Sequence, residues 1–257
     1  MSTLRIGVFL DNMKLSIPEA MDACCRIGAD GFQIYVTQGD MLAENMPAKA
    51  RAEFRKAYES RELTLSATCC DFGVAFDKPR AVEMIPMYKA AVDQTVDLGS
   101  RIITTHIGHV PADLAPAVCD PMRRVIEEVG RYAEAKGVVF ATETGPESGA
   151  TLAALLDSVQ TRGVGANFDP ANLVMRGFDH LQSLRDLKKH IVHAHAKDGR
   201  KGVGELPLGQ GEVDFPKYLA LMQELGLDIF HVIEREAGPD PLKDMTEALR
   251  FLRALPS

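Results

Sequence analysis

Residues 138–143 read VVFATE, a short apolar run that ends on a possible metal ligand, and this pattern recurs three times later in the chain. The later runs are VGANFD (164–169), IVHAH (191–195) and DIFHVIE (228–234). The four runs end on residues that can each bind a divalent metal, namely Glu143, Asp169, His195 and Glu234. In a parallel (β/α)₈ barrel, the loops at the carboxyl ends of the strands build the active site. The pattern therefore predicts a barrel with a metal site over its mouth.

Apolar, β-prone runs alternate with longer segments of helical periodicity throughout the chain. Four earlier strands are predicted at LRIGVFL (4–10), GFQIYV (31–36), LTLSATC (63–69) and RIITTH (101–106). A capping-box pair at Ser16 and Glu19 indicates the first helix. Two further helices are predicted from about Pro47 to Arg61 and from about Pro116 to Lys136. Between them lies a helix that Pro86 starts or bends and Gly99 ends. Later helix starts are indicated near Thr151, Asp179, Asp214 and Asp240. Eight strand and helix units without an internal break predict one (β/α)₈ TIM barrel, a single domain over residues 1–257.

A doubly wound open sheet is the structural alternative. It normally carries a glycine fingerprint after its first strand, where the backbone must approach a phosphate closely. The corresponding residues here, LDNMKLS (10–16), contain no glycine. The open sheet is therefore disfavoured.

The composition bounds the class of protein. Hydrophobic residues at 46% and charged residues at 25% are average for a soluble globular protein. The net charge of −7 argues against a nucleic-acid partner, because such proteins usually carry a basic face. The apolar run IGVFL near the N-terminus is too short for a signal peptide or a membrane span. Four of the five cysteines are in adjacent pairs, which predicts reduced thiols and a cytoplasmic enzyme with no membrane partner.

Three carboxylates and one imidazole form a hard, mainly oxygen donor set. Such a set suits Mn²⁺, Mg²⁺ or Co²⁺ better than a thiolate-preferring metal; Mn²⁺ is our first expectation and Zn²⁺ stays open. Glu143 and Glu234 can in addition move protons next to a substrate carbonyl. A cation beside them would stabilise the enediolate that forms when the first proton is removed.

The chain resembles the xylose-isomerase-like barrels of sugar (phosphate) isomerases and epimerases, among them the ketose 3-epimerases. The matching stretches are ETGPE (143–147), NFDPANL (167–173), HAHAKDG (193–199), PLGQGEVDF (207–215) and VIERE (232–236). The resemblance implies that Glu143, Asp169, His195 and Glu234 bind one metal ion. It also implies that the two glutamates are the acid/base pair and that the substrate is a carbohydrate. A homo-oligomer is compatible with it.

Two positions depart from the ketose 3-epimerase pattern. Those enzymes usually place a histidine three residues after the aspartate of the sixth strand, where this chain has Asn172. They tend to place an arginine six residues after the histidine of the seventh strand, where this chain has Lys201. A lysine lacks the planar fork that grips two oxygens at once. The exact substrate is therefore left open, although both residues are candidates for contacting it.

Further substrate contacts are expected from Glu147, His106 and Lys197. Glu147 resembles a residue that contacts a substrate hydroxyl in the family, and Lys197 could steady an oxyanion or pair with an acid. His193 faces the same way as His195 but lies deeper, so we expect it to be buried and hydrogen-bonded. A phosphate near the seventh strand could meet Lys197, Arg200 and Lys201, since barrels often bind phosphate there. The sequence does not decide between a free and a phosphorylated sugar.

Three other functions are alternatives to isomerisation or epimerisation. A dehydratase or lyase acting on a keto-inositol or a 3-keto-glycoside would begin with the same proton abstraction. A non-catalytic sugar-binding barrel is disfavoured because both acid/base glutamates are present. The apurinic-site endonucleases share the barrel but hold three zinc ions with many histidines. This chain has seven histidines in all, and Asn172 stands where one of the endonuclease ligands would be.

Overall fold

The computed structural model describes residues 4–255, and eight parallel strands within it close into a barrel. The barrel strands are β1 (Arg5–Phe9), β2 (Gly31–Tyr35), β3 (Thr64–Cys69), β4 (Ile102–Thr105), β5 (Val139–Glu143), β6 (Val164–Phe168), β7 (Ile191–Ala196) and β10 (Phe230–Ile233). Each strand pairs with the next along the chain, and β10 closes the barrel against β1. The predicted TIM barrel is confirmed and the open sheet is wrong. Residues 1–3 and 256–257 of the predicted domain lie outside the described residues.

The strands are joined by helices that cover the outside of the barrel. They are α1 (Ile17–Ile27), α2 (Ala48–Glu59), α3 (Pro79–Glu83), α4 (Ile85–Leu98), α5 (Pro116–Ala135), α6 (Gly149–Asp157), α7 (Pro170–Arg176), α8 (His180–Leu187), α9 (Phe215–Glu224) and α10 (Pro241–Ala254). The capping box at Ser16 and the caps at Asp179, Asp214 and Asp240 are present as predicted. A helix also begins near Thr151 as predicted, since Ser148 caps α6 and Thr151 lies in its first turn.

Large apolar side chains fill the space between the barrel and its helices. Phe140 on β5 is fully buried and packs against Phe76 and Tyr88, with ring centroids 6.3 and 6.1 Å away. Truncating such a residue to alanine typically costs about 3–5 kcal/mol, because transfer energy is lost and a cavity remains. The interior of the barrel is different. A polar layer of buried side chains lies there, formed by Gln33, Ser66, Thr104, Asn167 and His193.

An antiparallel hairpin follows β7, made of β8 (Asp198–Arg200) and β9 (Gly204–Leu206). The loop after it folds around the buried carboxylate of Asp198. That carboxylate accepts hydrogen bonds from the backbone N–H groups of Gly199, Gly209, Gly211 and Val213 at 2.8–3.1 Å. A Cβ at Gly211 would lie 2.0 Å from Asp198 Oδ1, so only glycine allows this approach. The Gly209 and Gly211 amides are therefore bound to an internal anion and are not available to an external one.

Candidate metal and proton-transfer site

The four strand-end residues meet at the carboxyl end of the barrel. Glu143 ends β5, Asp169 follows β6, His195 lies in β7 and Glu234 follows β10. All four are buried, and one ligand atom from each lies within 4.8 Å of the others. Among residues 4–255 this is the one cluster of at least three such side chains that could hold a metal ion. The geometry fits a single cation, not a trinuclear site.

Asp169 has one satisfied oxygen and one unsatisfied oxygen. Its Oδ1 caps α7 by accepting the N–H groups of Ala171 and Asn172 at 2.7 and 3.1 Å. Its Oδ2 is buried and has no hydrogen-bond partner among the described residues. Burial raises the pKa of this carboxyl, because an ionised oxygen without a partner is costly away from water. A cation at this point would remove that cost.

His195 presents Nδ1 to the three carboxylates. This nitrogen lies 3.1 Å from Glu234 Oε2, 3.4 Å from Glu143 Oε1 and 3.8 Å from Asp169 Oδ2. Although burial opposes the charged form, Glu234 and Glu143 raise the pKa of His195 well above its usual range. The three acids thus draw positive charge to this position. The donor set and the unsatisfied Asp169 Oδ2 both fit a divalent ion.

Glu143 is held by three side chains that donate hydrogen or carry charge. The side-chain amide of Asn167 reaches its Oε2 at 3.1 Å, and that of Asn172 reaches its Oε1 at 3.0 Å. His106 Nε2 lies 3.4 Å from Oε1. Burial works against ionisation, but His106 and His195 hold the pKa of Glu143 well below its usual range. Glu143 is therefore ionised and fixed from both of its oxygens.

Glu234 is held on one oxygen only. Lys197 Nζ lies 2.9 Å from Oε2, the same oxygen that faces His195. Lys197 also contacts Glu236 at 2.6 Å. Burial opposes the charge on Lys197, but Glu234 and the neighbouring acids raise its pKa above its usual range. Within the described part of the chain, no hydrogen bond reaches Glu234 Oε1.

Two of the remaining predicted substrate contacts, His106 and Glu147, differ in exposure and in hydrogen bonding. His106 is bracketed by Glu143 and by Asp71, whose Oδ2 lies 2.9 Å from its Nδ1, and its side chain is 45% exposed. Glu147 is buried and accepts the N–H groups of Gly145 and Val110 at 3.1 and 3.4 Å. Burial raises the pKa of Glu147 to about 7.

Lys201 lies apart from this group. It is exposed in the hairpin turn, and its side chain passes over Gly177, which ends α7. Asp169 caps the opposite end of that helix. Arg200 is hydrogen-bonded to the Gln210 carbonyl. The three cations suggested for a phosphate are therefore divided between an ion pair at the site and the surface of the hairpin.

Two buried amides beside the site were not predicted. Asn167 contacts Glu143 and His193, and Gln33 Oε1 lies 3.0 Å from His195 Nε2. Both residues lie where strand pairing shifts its register, between Phe32 and Gln33 and between Ala166 and Asn167. A buried polar residue inside an otherwise apolar strand was the only signal in the sequence. His193 is buried and bonded to Asn167 and Ser66, as predicted.

Two observations concern the cysteines and the length of the helices. The five cysteines are free thiols in the described structure, and burial raises the pKa of Cys24 to about 12. Between residues 4 and 255, no helix has the length and apolar character needed to cross a membrane.

Sequence comparison assigns the family. Residues 21–255 match the xylose isomerase-like TIM barrel family, and the chain belongs to that family. An uncharacterized protein of Methanocaldococcus jannaschii is 24% identical over 242 residues, which cover 89% of this chain and 82% of that protein.

Solved structures share the same fold. A xylose isomerase domain protein from Planctomyces limnophilus superposes with a TM-score of 0.82 at 22% identity, covering 97% of this chain and 94% of that one. A D-tagatose 3-epimerase-like protein gives a TM-score of 0.79 at 18% identity over 97% and 98% of the two chains. A probable 3-DHS dehydratase from Bacillus anthracis gives a TM-score of 0.78 at 14% identity over the same shares. The fold thus accommodates more than one named activity.

Proposed function

We propose that the protein is a divalent-metal-dependent isomerase or epimerase of a carbohydrate that acts through an enediolate. The observation that carries this proposal is the buried Asp169 Oδ2. It has no partner among the described residues, and it faces His195 Nδ1 together with two carboxylates that can transfer protons. Mn²⁺ is the ion we expect, because the donor set is mainly oxygen. Bound there, it would supply Lewis-acid stabilisation to oxygens that become negative in the reaction.

The two glutamates have different surroundings and so are suited to different proton transfers. Both contacts of Glu234, from Lys197 and His195, fall on Oε2. This leaves Oε1 to accept the proton from the carbon next to the substrate carbonyl. The electron pair of that C–H bond then forms the carbon–carbon double bond of the enediolate. In an epimerisation Glu143, anchored through both oxygens, would first take up a proton from solvent and deliver it to the opposite face of the enediolate, while Glu234 releases to solvent the proton that it accepted. In an isomerisation Glu234 itself would return its proton to the neighbouring carbon.

Charge favours a neutral substrate. Lys197 lies inside the acidic group, so that a 2+ ion would leave the three carboxylates, the ammonium and the ion formally neutral together. The Gly209 and Gly211 amides already bind Asp198, and Lys201 lies against the far end of α7. We therefore favour an unphosphorylated ketose. Glu147, Asn172 and His106 are the residues proposed to contact its hydroxyl groups, and Lys201 is the weakest of the predicted contacts.

An elimination is the second candidate. After the same first proton transfer, a leaving group on the next carbon would depart with the electron pair of its own bond to that carbon. The electrons of the enediolate would then form the new carbon–carbon double bond. Lys197 lies beside Glu234, where its ammonium could stabilise a departing oxygen. A dehydratase or lyase would therefore share every residue of the site and differ only in its product. The absence of a nucleic-acid partner stays a prediction, and the oligomeric state stays open.

The test is a hydrogen-exchange screen in D₂O. Metal-free protein is loaded with Mn²⁺ and incubated with ketoses, ketose phosphates and 3-keto-glycosides. We expect deuterium at the carbon next to the carbonyl of an unphosphorylated ketose, with an epimer or isomer as the product. An unsaturated product would instead identify the elimination. No exchange with any of these compounds, together with no uptake of Mn²⁺, would refute the proposal.

A pair of glutamate variants separates the proposed base from a general effect of charge. Glu234→Gln should reduce exchange by at least about 100-fold, because it removes the base while it keeps the size of the side chain. Glu224→Gln is the matched control, since Glu224 lies at the end of α9 and pairs with Arg185 on the surface. Exchange that persists in Glu234→Gln would assign the base to another residue.

A further inference from the structure

We propose that Gln33, reaching from β2 across the interior of the barrel, fixes the tautomer and ring orientation of His195, so that Nδ1 faces the cation. Gln33 would be a positioning residue that acts through the metal ligand. The inference rests on the proposed metal site and deepens it. Gln33 is fully buried and lies 162 residues from His195 in the sequence.

A chain of hydrogen bonds sets the direction of the Gln33 amide. The Thr104 hydroxyl donates to the carbonyl oxygen of Thr68 at 3.3 Å. That carbonyl can only accept, so the hydroxyl proton is used and Thr104 Oγ1 is left as an acceptor. It accepts from Gln33 Nε2 at 2.8 Å. The amide oxygen of Gln33 must therefore point the other way, towards His195.

The direction of the amide then determines which imidazole nitrogen carries hydrogen. Gln33 Oε1 lies 3.0 Å from His195 Nε2, and an amide oxygen can only accept. The proton must therefore be on Nε2. When a cation replaces the second proton of the ring, the lone pair of Nδ1 is then on the side of Asp169, Glu143 and Glu234, where the cation would be bound. Metal-binding histidines in general are oriented by such a partner on their second nitrogen.

Asn167 does not compete for this role. Its Nδ2 is almost equally far from the two ring nitrogens of His195, at 3.1 and 3.5 Å, so it lies over the ring face and not along either N–H direction. The same Nδ2 donates to Glu143, and Oδ1 faces His193 at 2.8 Å. Asn167 therefore supports the ring from one side, and Gln33 alone meets the edge at Nε2.

The regular alternation of β2 turns Gln33 towards the barrel interior, while its neighbour Phe32 packs outwards against Tyr58 of α2. The pairing of β2 with β3 changes register between Phe32 and Gln33, and the extra residue is Ser66 of β3. The Ser66 hydroxyl donates to the Phe32 carbonyl at 2.9 Å, beside Gln33. A fully buried glutamine inside a barrel strand has a high desolvation cost unless both ends of its amide are bonded. Thr104 and His195 are those two partners.

The first experiment measures Mn²⁺ affinity of the metal-free full chain by isothermal titration calorimetry. Gln33→Leu should weaken binding by about 10- to 100-fold, the usual effect of losing a partner of a metal ligand. Gln33→Glu keeps an acceptor oxygen facing Nε2, and its affinity should stay within about threefold of the wild type. Gln94→Leu is the matched control. Gln94 is an equally buried glutamine on α4 whose Nε2 donates to the Met41 carbonyl.

A double-mutant cycle tests the chain of hydrogen bonds. Thr104→Val should weaken Mn²⁺ binding in the wild type, because the Gln33 amide loses the partner that sets its direction. The same change should have no effect in the Gln33→Leu background. Additive losses would contradict the proposed chain, as would Gln33→Leu and Gln33→Glu that are equally weak.

Nuclear magnetic resonance tests the tautomer on the wild-type protein, without the Gln33 variants. Long-range ¹⁵N–¹H correlation of the Zn²⁺-loaded wild type, with His195→Gln used for assignment, should place the His195 proton on Nε2. A proton on Nδ1 would overturn the inference. So would wild-type Mn²⁺ affinity in a folded Gln33→Leu variant. A wild type that binds no Mn²⁺ or Zn²⁺ at all would instead refute the metal site of the proposed function.

Discussion

Two buried aspartates near the mouth of the barrel have opposite hydrogen-bond environments. Asp198 is 1% exposed, and both of its oxygens accept two backbone N–H groups. Asp169 is fully buried, but only its Oδ1 is bonded and its Oδ2 has no partner among the described residues. Buried polar atoms in folded proteins are nearly always paired. The loop thus satisfies both oxygens of Asp198, whereas the described fold leaves Asp169 Oδ2 unpaired next to three other possible ligands of a cation.

This difference separates acids whose charge the fold satisfies from acids that it leaves partly unsatisfied. Glu147 falls between the two aspartates, because two amides approach it, one of them at the long distance of 3.4 Å. Its surroundings only partly stabilise the negative charge, and burial raises the pKa of this glutamate to about 7. The number and quality of the donors thus rank the three acids. Each step of that ranking can be measured.

The largest effect is expected for metal binding by Asp169→Asn. The Asn Oδ1 can still cap α7, so the helix start is kept while the unsatisfied charged oxygen is lost. We expect Mn²⁺ affinity to fall by at least about 1,000-fold, or roughly 4 kcal/mol. The free energy of unfolding in EDTA should stay the same or rise, because an uncompensated buried charge is removed. Calorimetry and chemical denaturation measure the two quantities.

The combination of outcomes is decisive for Asp169. A loss of stability in EDTA that matches the loss of affinity would mean that Asp169 is structural, like Asp198. Added Mn²⁺ should also raise the melting temperature of the wild type and leave that of Asp169→Asn unchanged, since a ligand stabilises only the state that binds it.

The second largest effect is expected for Asp198→Asn, in which stability should change and metal affinity should not. An asparagine can accept through one oxygen only, and its amide would oppose at least one backbone N–H. We expect the free energy of unfolding to fall by about 3 kcal/mol, because buried donors are left without partners. Mn²⁺ affinity of the folded protein should change by less than about tenfold. Urea denaturation and calorimetry test this.

A capping aspartate provides the control for Asp198. Asp214→Asn changes a residue that caps α9 through one backbone hydrogen bond at 3.1 Å, and its stability should change by less than about 1 kcal/mol. Equal losses in the two variants would show that the four-fold cradle of Asp198 adds nothing.

The same two aspartates mark the limit of what the sequence could predict. Asp169 was predicted because it follows a recognisable strand, and in a barrel all strand ends meet at one mouth. The other three residues of the cluster were predicted for the same reason. The role of Asp198 was missed, because its donors Gly209 and Gly211 belong to an irregular loop and only the folded chain brings them to the carboxylate.

The amides inside the barrel were missed for a second physical reason. Strand alternation can turn Gln33 and Asn167 inwards, but it does not show which side chains they meet, because their partners Thr104, His193 and His195 come from other strands. Lys201 gives the converse case. Its spacing from His195 matches a family position, but the hairpin carries it over Gly177.

The third prediction concerns pH and Glu147. Between its ordinary pKa of 4.5 and the folded value of about 7, the folded protein holds a proton that the unfolded chain has released. Stability due to this group therefore falls as pH rises through that window, by roughly 3 kcal/mol at most. Glu147→Gln should remove this fall, so the difference in unfolding free energy between variant and wild type should grow from pH 4.5 to 7. Denaturation in urea across that range measures it, and a constant difference would mean that Glu147 ionises normally.

The smallest effect is expected for Asn172→Ala, which tests whether the amide that reaches Glu143 matters to the site or only to the helix. The variant loses hydrogen bonds to Glu143 Oε1 and to the Thr144 carbonyl, while its backbone N–H still bonds Asp169. Mn²⁺ affinity should fall by about tenfold, near 1.4 kcal/mol, because Glu143 is less well oriented. Asn45→Ala is the control variant. The exposed side chain of Asn45 donates to the Gly39 carbonyl, and its loss should leave Mn²⁺ affinity unchanged. If Asn172→Ala binds Mn²⁺ like the wild type, then Asn167 and His106 are sufficient to hold Glu143.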